Sequence, residues 1–256
     1  MPIPADSEGW LALVRAGMSP FWRGLAEGTG GRAWEQDGVF AALVPASPKR
    51  SFFNSVFYED PQRLIESIDA LAALYRDAGI EAWTVWVPEQ DTEVADALAA
   101  AGHELDATPR AMGMPLDGLR PPDPDPELAI REEVDFELVS RLNEVAYGYA
   151  PGDFPPVRGD QSAMRTYFGA LDGETVGCAG AFTNGSDCEV VYVAVLPEGR
   201  GRGISGRLMA RALADAREQG LETTTLKATK LGYPVYVKLG YGDYGTLQMW
   251  ERRDDE

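Results

Sequence analysis

The 256-residue chain sets 23 lysines and arginines against 41 aspartates and glutamates, for a formal charge of −18. A field of that sign repels nucleic acid and anionic membrane and draws in cationic or amine ligands in a salt-dependent way. Two cysteines exclude a disulfide framework, no apolar run reaches the length of a membrane span, and the first residues lack the flanks of a secretory signal, so a cytoplasmic protein is expected.

In chain order, Phe53–Tyr58 reads as a strand. Asp60-Pro61 starts a helix whose apolar face is Leu64, Ile65, Ile68, Leu71 and Leu74, and Gly79 ends it. Trp83–Val87 is a strand, and Val94–Ala101 is a helix stopped by Gly102. His103 is the only histidine, and no Cys, Asp or Glu accompanies it at zinc spacing, so no metal is expected. The run Leu119-Arg-Pro-Pro-Asp-Pro-Asp-Pro126 cannot join a helix or a central strand and is expected as a linker over 119–127, between domains at 1–118 and 128–256.

The second domain opens with an extended Leu128–Glu132, a helix over Phe136–Tyr147 and an irregular stretch to Pro156. Met164–Leu171 and Thr175–Phe182 are strands about an Asp172-Gly173 turn. A two-residue Asn184-Gly185 turn would set Cys178 opposite Val191 and Cys188 opposite Ala181, leaving two buried, reduced thiols. Glu189–Val195 is a strand, 203–219 a helix ended by Gly220, Thr223–Ala228 a strand, and Val235–Leu239 a short helix before Gly240. Strand, helix, strand, helix and glycine thus occur twice. The spacings from Phe57 to Val193, Val85 to Thr225 and Gly102 to Gly240 are nearly constant, which points to an internal duplication.

Between a strand and a helix lies Arg200-Gly-Arg-Gly-Ile-Ser-Gly206. Glycines there let backbone approach a ligand, and the free N–H groups and positive end of a helix suit a pyrophosphate. The loop lacks the Lys-Ser/Thr ending of the nucleotide-triphosphatase loop and the Gly-x-Gly-x-x-Gly order of a Rossmann site.

The segment from Val193 to Met209 resembles the acetyl-CoA-binding motif of the GNAT superfamily, Arg/Gln-x-x-Gly-x-Gly/Ala after a strand ending Val-x-Pro. Arg200 and Gly203 match, whereas Ser205 stands where Gly or Ala is usual. Tyr236-Val-Lys-Leu-Gly-Tyr241 is similar to the family's Tyr-x-x-x-Gly-Phe segment. The resemblance spans Leu128 to Trp250 and implies an α/β fold, specifically two tandem GNAT-like domains, each with a mixed, mostly antiparallel sheet flanked by helices.

It also implies an acetyl-CoA-dependent N-acetyltransferase, moving the acetyl group to a primary amine of a small molecule or peptide by direct attack in a ternary complex. The backbone of Val193 and Val195 would hold the thioester and pantetheine. The N–H groups of Arg200, Gly201, Arg202, Gly203, Ile204, Ser205 and Gly206 would hold the pyrophosphate. Tyr236 would protonate the thiolate, its alternative being a packing aromatic, and the amine proton would go to Glu189 or to a water chain. Tyr147, Tyr149, Asp153 and Phe154 fall where the family covers its acceptor, or serve as plain turn residues. The first half has Leu98 where the second has Tyr236 and no glycine-arginine loop after Phe57, so it reads as a degenerate copy, an arrangement similar to mycothiol synthase-like enzymes. A non-catalytic acyl-CoA sensor is the competing reading. A monomer or homodimer is expected, with neither nucleic acid nor membrane as partner.

Overall fold

The computed structural model describes residues 3–159 and 161–253. They divide into two compact units, one of residues 18–110 with 245–253, the other of residues 3–17 with 111–244. Among the described residues no helix is long and apolar enough to cross a membrane.

In the unit of residues 18–110 and 245–253, the later turns of α1 (Ser7–Gly28) lead into β1 (Arg32–Gln36), β2 (Val39–Leu43) and, after a 3-10 turn at Ser51–Phe53, β3 (Ser55–Tyr58). Phe53 therefore sits in the turn and not in the strand expected from it. Next come α2 (Pro61–Asp77), β4 (Ala82–Pro88), α3 (Thr92–Ala100) and β5 (Glu104–Ala107), and the sheet takes in residues of the last strand, β12 (Gly242–Arg253). The order is β1-β2-β3-β4-β12, with β5 also on β12. Only β3 and β4 pair in parallel among the registers seen in this unit, as a helical crossover requires. Leu64, Ile68, Leu71 and Tyr75 of α2 bury against Trp83 and Val85, Tyr75 stacking on Trp83 at 4.9 Å. Asp60 caps α2, its side chain accepting from the N–H groups of Gln62 and Arg63.

The other unit carries β6 (Arg110–Pro115), β7 (Leu128–Glu132), α4 (Phe136–Tyr147), β8 (Met164–Leu171), β9 (Glu174–Asn184), β10 (Asp187–Val195), α5 (Ile204–Glu218), β11 (Thr223–Ala228) and α6 (Tyr233–Leu239). The strand order is β6-β11-β10-β9-β8-β7. β10 and β11 are parallel, whereas β7, β8, β9 and β10 are antiparallel to one another in turn. Ile204, Leu208, Ala212 and Leu213 of α5, with Tyr236 and Leu239 of α6, bury against Cys188, Val190, Leu226 and Ala228. A second cluster joins Val139 and Leu142 of α4 to Phe168, Cys178 and Ala194. The period-3.6 stripes on the helices and the alternation on the strands account for this layering.

One expectation is corrected. The β9–β10 hairpin pairs Asn184 with Asp187, so Gly185 and Ser186 are the turn residues and Gly185 supplies the positive φ of 60°. Cys188 therefore faces Thr183, and Cys178 faces Ala194 beyond a bulge; both thiols are free and buried. The proline-rich run at 119–127 lies in the unit of residues 111–244, where the Arg120 N–H donates to the Leu239 carbonyl. The compact units follow strand pairing, because residues Leu247–Arg253 join β4.

Candidate functional site

β10 and β11 pair only from Asp187 opposite Thr223 to Glu189 opposite Thr225, yet β10 runs on to Val195 and β11 to Ala228. The strands part after Glu189, which leaves backbone groups of the later part of β10 without a β11 partner. Within that stretch the β9 register slips between Val191 and Ala194, and Tyr192 takes φ 54°. A bulky aromatic in the left-handed region is strained and is held there by its surroundings. The Tyr192 carbonyl accepts from Cys178 Sγ at 3.3 Å, and its ring meets Phe154 edge-on at 5.5 Å.

The Pro197–Gly199 turn then leads through Arg200–Gly203 into α5. Gly203 is the N-cap, at φ 70°, and no side chain caps the helix, so its first-turn N–H groups face outward. Gly201 also has a positive φ. Ile204 is buried in the core, which anchors the helix start, and Gly206 keeps the backbone low, its nearest side-chain neighbours being Val235 and Pro122. Ser205 is half-buried in the first turn and leaves the helix path intact. The loop arginines are engaged within the chain. Arg200 reaches the carbonyls of Val195 at 3.3 Å and Ala146 at 2.9 Å. Arg202 is ion-paired with Glu127 at 2.6 Å and Asp125 at 3.8 Å.

Tyr236 lies in α6, buried against Gly232 and 6.1 Å from the Tyr241 ring. Burial, with the Tyr147 phenol as a smaller contributor, holds its hydroxyl well above the usual tyrosine range, hence protonated at neutral pH. Tyr147, at the end of α4, donates to the Val193 carbonyl at 2.8 Å, and burial pushes its own hydroxyl up to about 12. Tyr147 stacks on Tyr149 at 6.0 Å. The loop after α4 is tied down by Glu144, whose Oε1 accepts from the N–H groups of Gly152 and Phe154, and by Asp153, which accepts from the Ala150 N–H. Tyr147, Phe154, Tyr192 and Val193 thus come together.

Glu189 is 1% exposed. Its Oε1 is ion-paired with Lys227 Nζ, and its Oε2 has no hydrogen-bond partner among the described residues. Burial pulls the Lys227 amine down to about 7, against the pull of Asp187. Asp187 accepts from the hydroxyls of Thr223 and Thr225, and burial raises its carboxyl. Lys227, Asp187, Tyr192 and Glu144 were not singled out from the sequence. The alternation Thr223, Thr225, Lys227 along one face of β11 was the available signal. Gly17 of α1 closes over Glu189, since a Cβ there would lie 2.5 Å from Oε2. Gly17→Ala should therefore lower stability by about 1–3 kcal/mol, measured by urea unfolding, although alanine is the better helix former by about 1 kcal/mol. A gain in stability would show that the carboxylate yields freely.

The sequence profile of the acetyltransferase (GNAT) family matches residues 133–241. No curated protein matches the sequence. Among solved structures, a GCN5-related N-acetyltransferase from Kribbella flavida superposes with a TM-score of 0.72 at 16% identity, over 94% of this chain and 96% of that one. One from Sphaerobacter thermophilus gives 0.60 at 16%, over 84% and 76%. A tandem GNAT protein from the clavulanic acid biosynthesis pathway gives 0.56 at 16%, over 94% and 95%. At such identities these likenesses speak for the fold, and the profile match supports the GNAT superfamily for residues 133–241, less than half of the chain.

Proposed function

We propose that the protein is an acetyl-CoA-dependent N-acetyltransferase, cytoplasmic, acting on a primary amine of a small molecule or peptide in a ternary complex. The observation that carries this reading is the parting of β10 from β11 directly before an uncapped helix start. Backbone of Val193 and Val195 would line the acetyl-pantetheine arm. The N–H groups of residues 200–206 and the dipole of α5 would take the pyrophosphate. Backbone N–H groups at the strained Tyr192 bulge would serve as oxyanion donors to the thioester oxygen as it gains charge.

The amine attacks the thioester carbon as a neutral nucleophile. Acetyl-CoA would supply the thioester and its thiolate leaving group, toward which Tyr236, protonated at neutral pH, would donate its phenolic proton as the carbon–sulfur bond is broken, regaining a proton from solvent afterwards. Glu189 is proposed as terminal acceptor of the amine proton, reached through water, because Lys227 holds one carboxylate oxygen and Gly17 covers the other. Tyr147, Tyr149 and Phe154 would form the acceptor's aromatic wall. We further propose that residues 18–110 are a degenerate copy. The β3–α2–β4 crossover parallels β10–α5–β11, but Asp60 already occupies the N–H groups at the start of α2.

Millimolar acetyl-CoA should raise the melting temperature; its failure to do so would sink the cofactor assignment. Tyr236→Phe should slow amine-dependent release of free CoA by about 100-fold or more, with the acetyl-CoA-induced shift in melting temperature unchanged. Undiminished turnover in that variant would remove Tyr236 from the chemistry.

A further inference from the structure

The run at 119–127 crosses the start of α5. Pro122 lies against the Gly206 position, the Asp123 carbonyl accepts from Arg207 Nε at 2.8 Å, and Asp125 and Glu127 both hold Arg202. Arg207 Nη1 in turn donates to the Arg202 carbonyl at 2.6 Å, so strap and loop form one polar network. The strap is not sealed onto α5, because a cleft of about 350 Å³ opens between Pro122, Pro124 and Asp125 on one side and Ala210 and Arg211 on the other. It is held by surface ion pairs and main-chain bonds. Exposed ion pairs of this kind are worth only about 0.2–1 kcal/mol each, so a polyanion can displace them.

We propose that this acidic strap determines the affinity of the coenzyme site: Asp125 and Glu127 occupy Arg202 in place of the coenzyme phosphates and must release it when the coenzyme binds. The proposal rests on the coenzyme reading above. The chemistry fixes the sign. Two carboxylates beside a phosphate site repel the incoming anion and compete for its guanidinium, and both effects weaken binding.

The test is calorimetric titration of coenzyme A into the full chain at low salt. Asp125→Asn/Glu127→Gln should tighten binding about 5-fold, roughly the loss of one such contact, and the gain should shrink at 0.5 M salt. Glu137→Gln/Glu174→Gln, which removes the same charge elsewhere in the unit, should leave affinity unchanged. On an Arg202→Ala background the strap substitutions should gain less than about 2-fold, since the contested guanidinium is gone. Binding by wild type with the same or weaker affinity in the strap variant overturns the strap proposal and leaves the coenzyme site standing. An equal gain on the Arg202→Ala background, or an equal gain from the distant pair, overturns the competition for Arg202. No binding by either wild type or strap variant overturns the coenzyme reading and the strap with it.

Discussion

Gly203→Glu is expected to abolish the thermal stabilisation by acetyl-CoA, while Gly203→Ala only weakens it. Gly203 has φ 70°, a conformation that costs other residues about 1–2 kcal/mol, and a Cβ there would lie 2.8 Å from Arg207 Nη1. Alanine adds this strain alone, and the far end of Arg207 can shift to admit the methyl. Glutamate adds a carboxylate at the helix start, where it takes the N–H groups proposed for the pyrophosphate and repels that anion. At a coenzyme concentration 100 times its Kd, binding stabilises the wild type by about 2.7 kcal/mol. In a chain of this size that is a shift of roughly 5–10 °C. Differential scanning fluorimetry of the three proteins, with and without acetyl-CoA, reads all of it. A full shift in the glutamate variant would move the phosphate site away from Arg200–Gly206.

Acidification from pH 6.5 to 4 should cost about 3 kcal/mol of stability through His103 alone. The ring is 3% exposed, meets Trp83 edge-on at 4.6 Å, sits 3.2 Å from the Leu98 carbonyl through Nδ1, and has no partner at Nε2 among the described residues. Burial lowers its pKa from 6.5 to about 4, outweighing the Leu98 carbonyl, with Arg252 lowering it further. The folded chain therefore keeps His103 neutral where the unfolded chain protonates it. Stability from this group is whole above pH 6.5 and is lost as pH falls toward 4. His103→Phe keeps the aromatic contact and removes the titration. Urea unfolding at pH 7 and pH 4 should show wild type losing about 3 kcal/mol more than the variant, and equal losses would mean that the buried ring stays uncharged by another route.

The second half of the chain was largely legible in its sequence because its elements carry strong periodicity and clear punctuation. β7, α4, β8 and β11 begin and end where the apolar patterning and the glycines indicate. The loop at Arg200–Gly206 and the start of α5 lie where the glycines and the apolar repeat put them. Other elements left weak signals. α1 contains Pro20 and four glycines, which mask a helix stabilised by packing of Trp10, Val14, Phe21 and Trp22. β12 ends in charged residues that read as a tail until their pairing with β4 is seen. At the site, sequence named Glu189 and Tyr236 but could not supply Lys227. Its importance comes from sharing a buried face with Glu189 across β10 and β11, a neighbourhood set by register.

The pairing of Leu247–Arg253 with β4 has a consequence for synthesis. Residues 18–110 are made well before residues 245–253, so β4 stays an open edge until residues near 253 have been made. A sheet edge left unpaired that long is exposed to mispairing with another chain. Crowded expression should therefore favour exchange of the last strand between copies, and slower synthesis should prolong the exposure. The strand that completes this sheet is made long after the strands it joins.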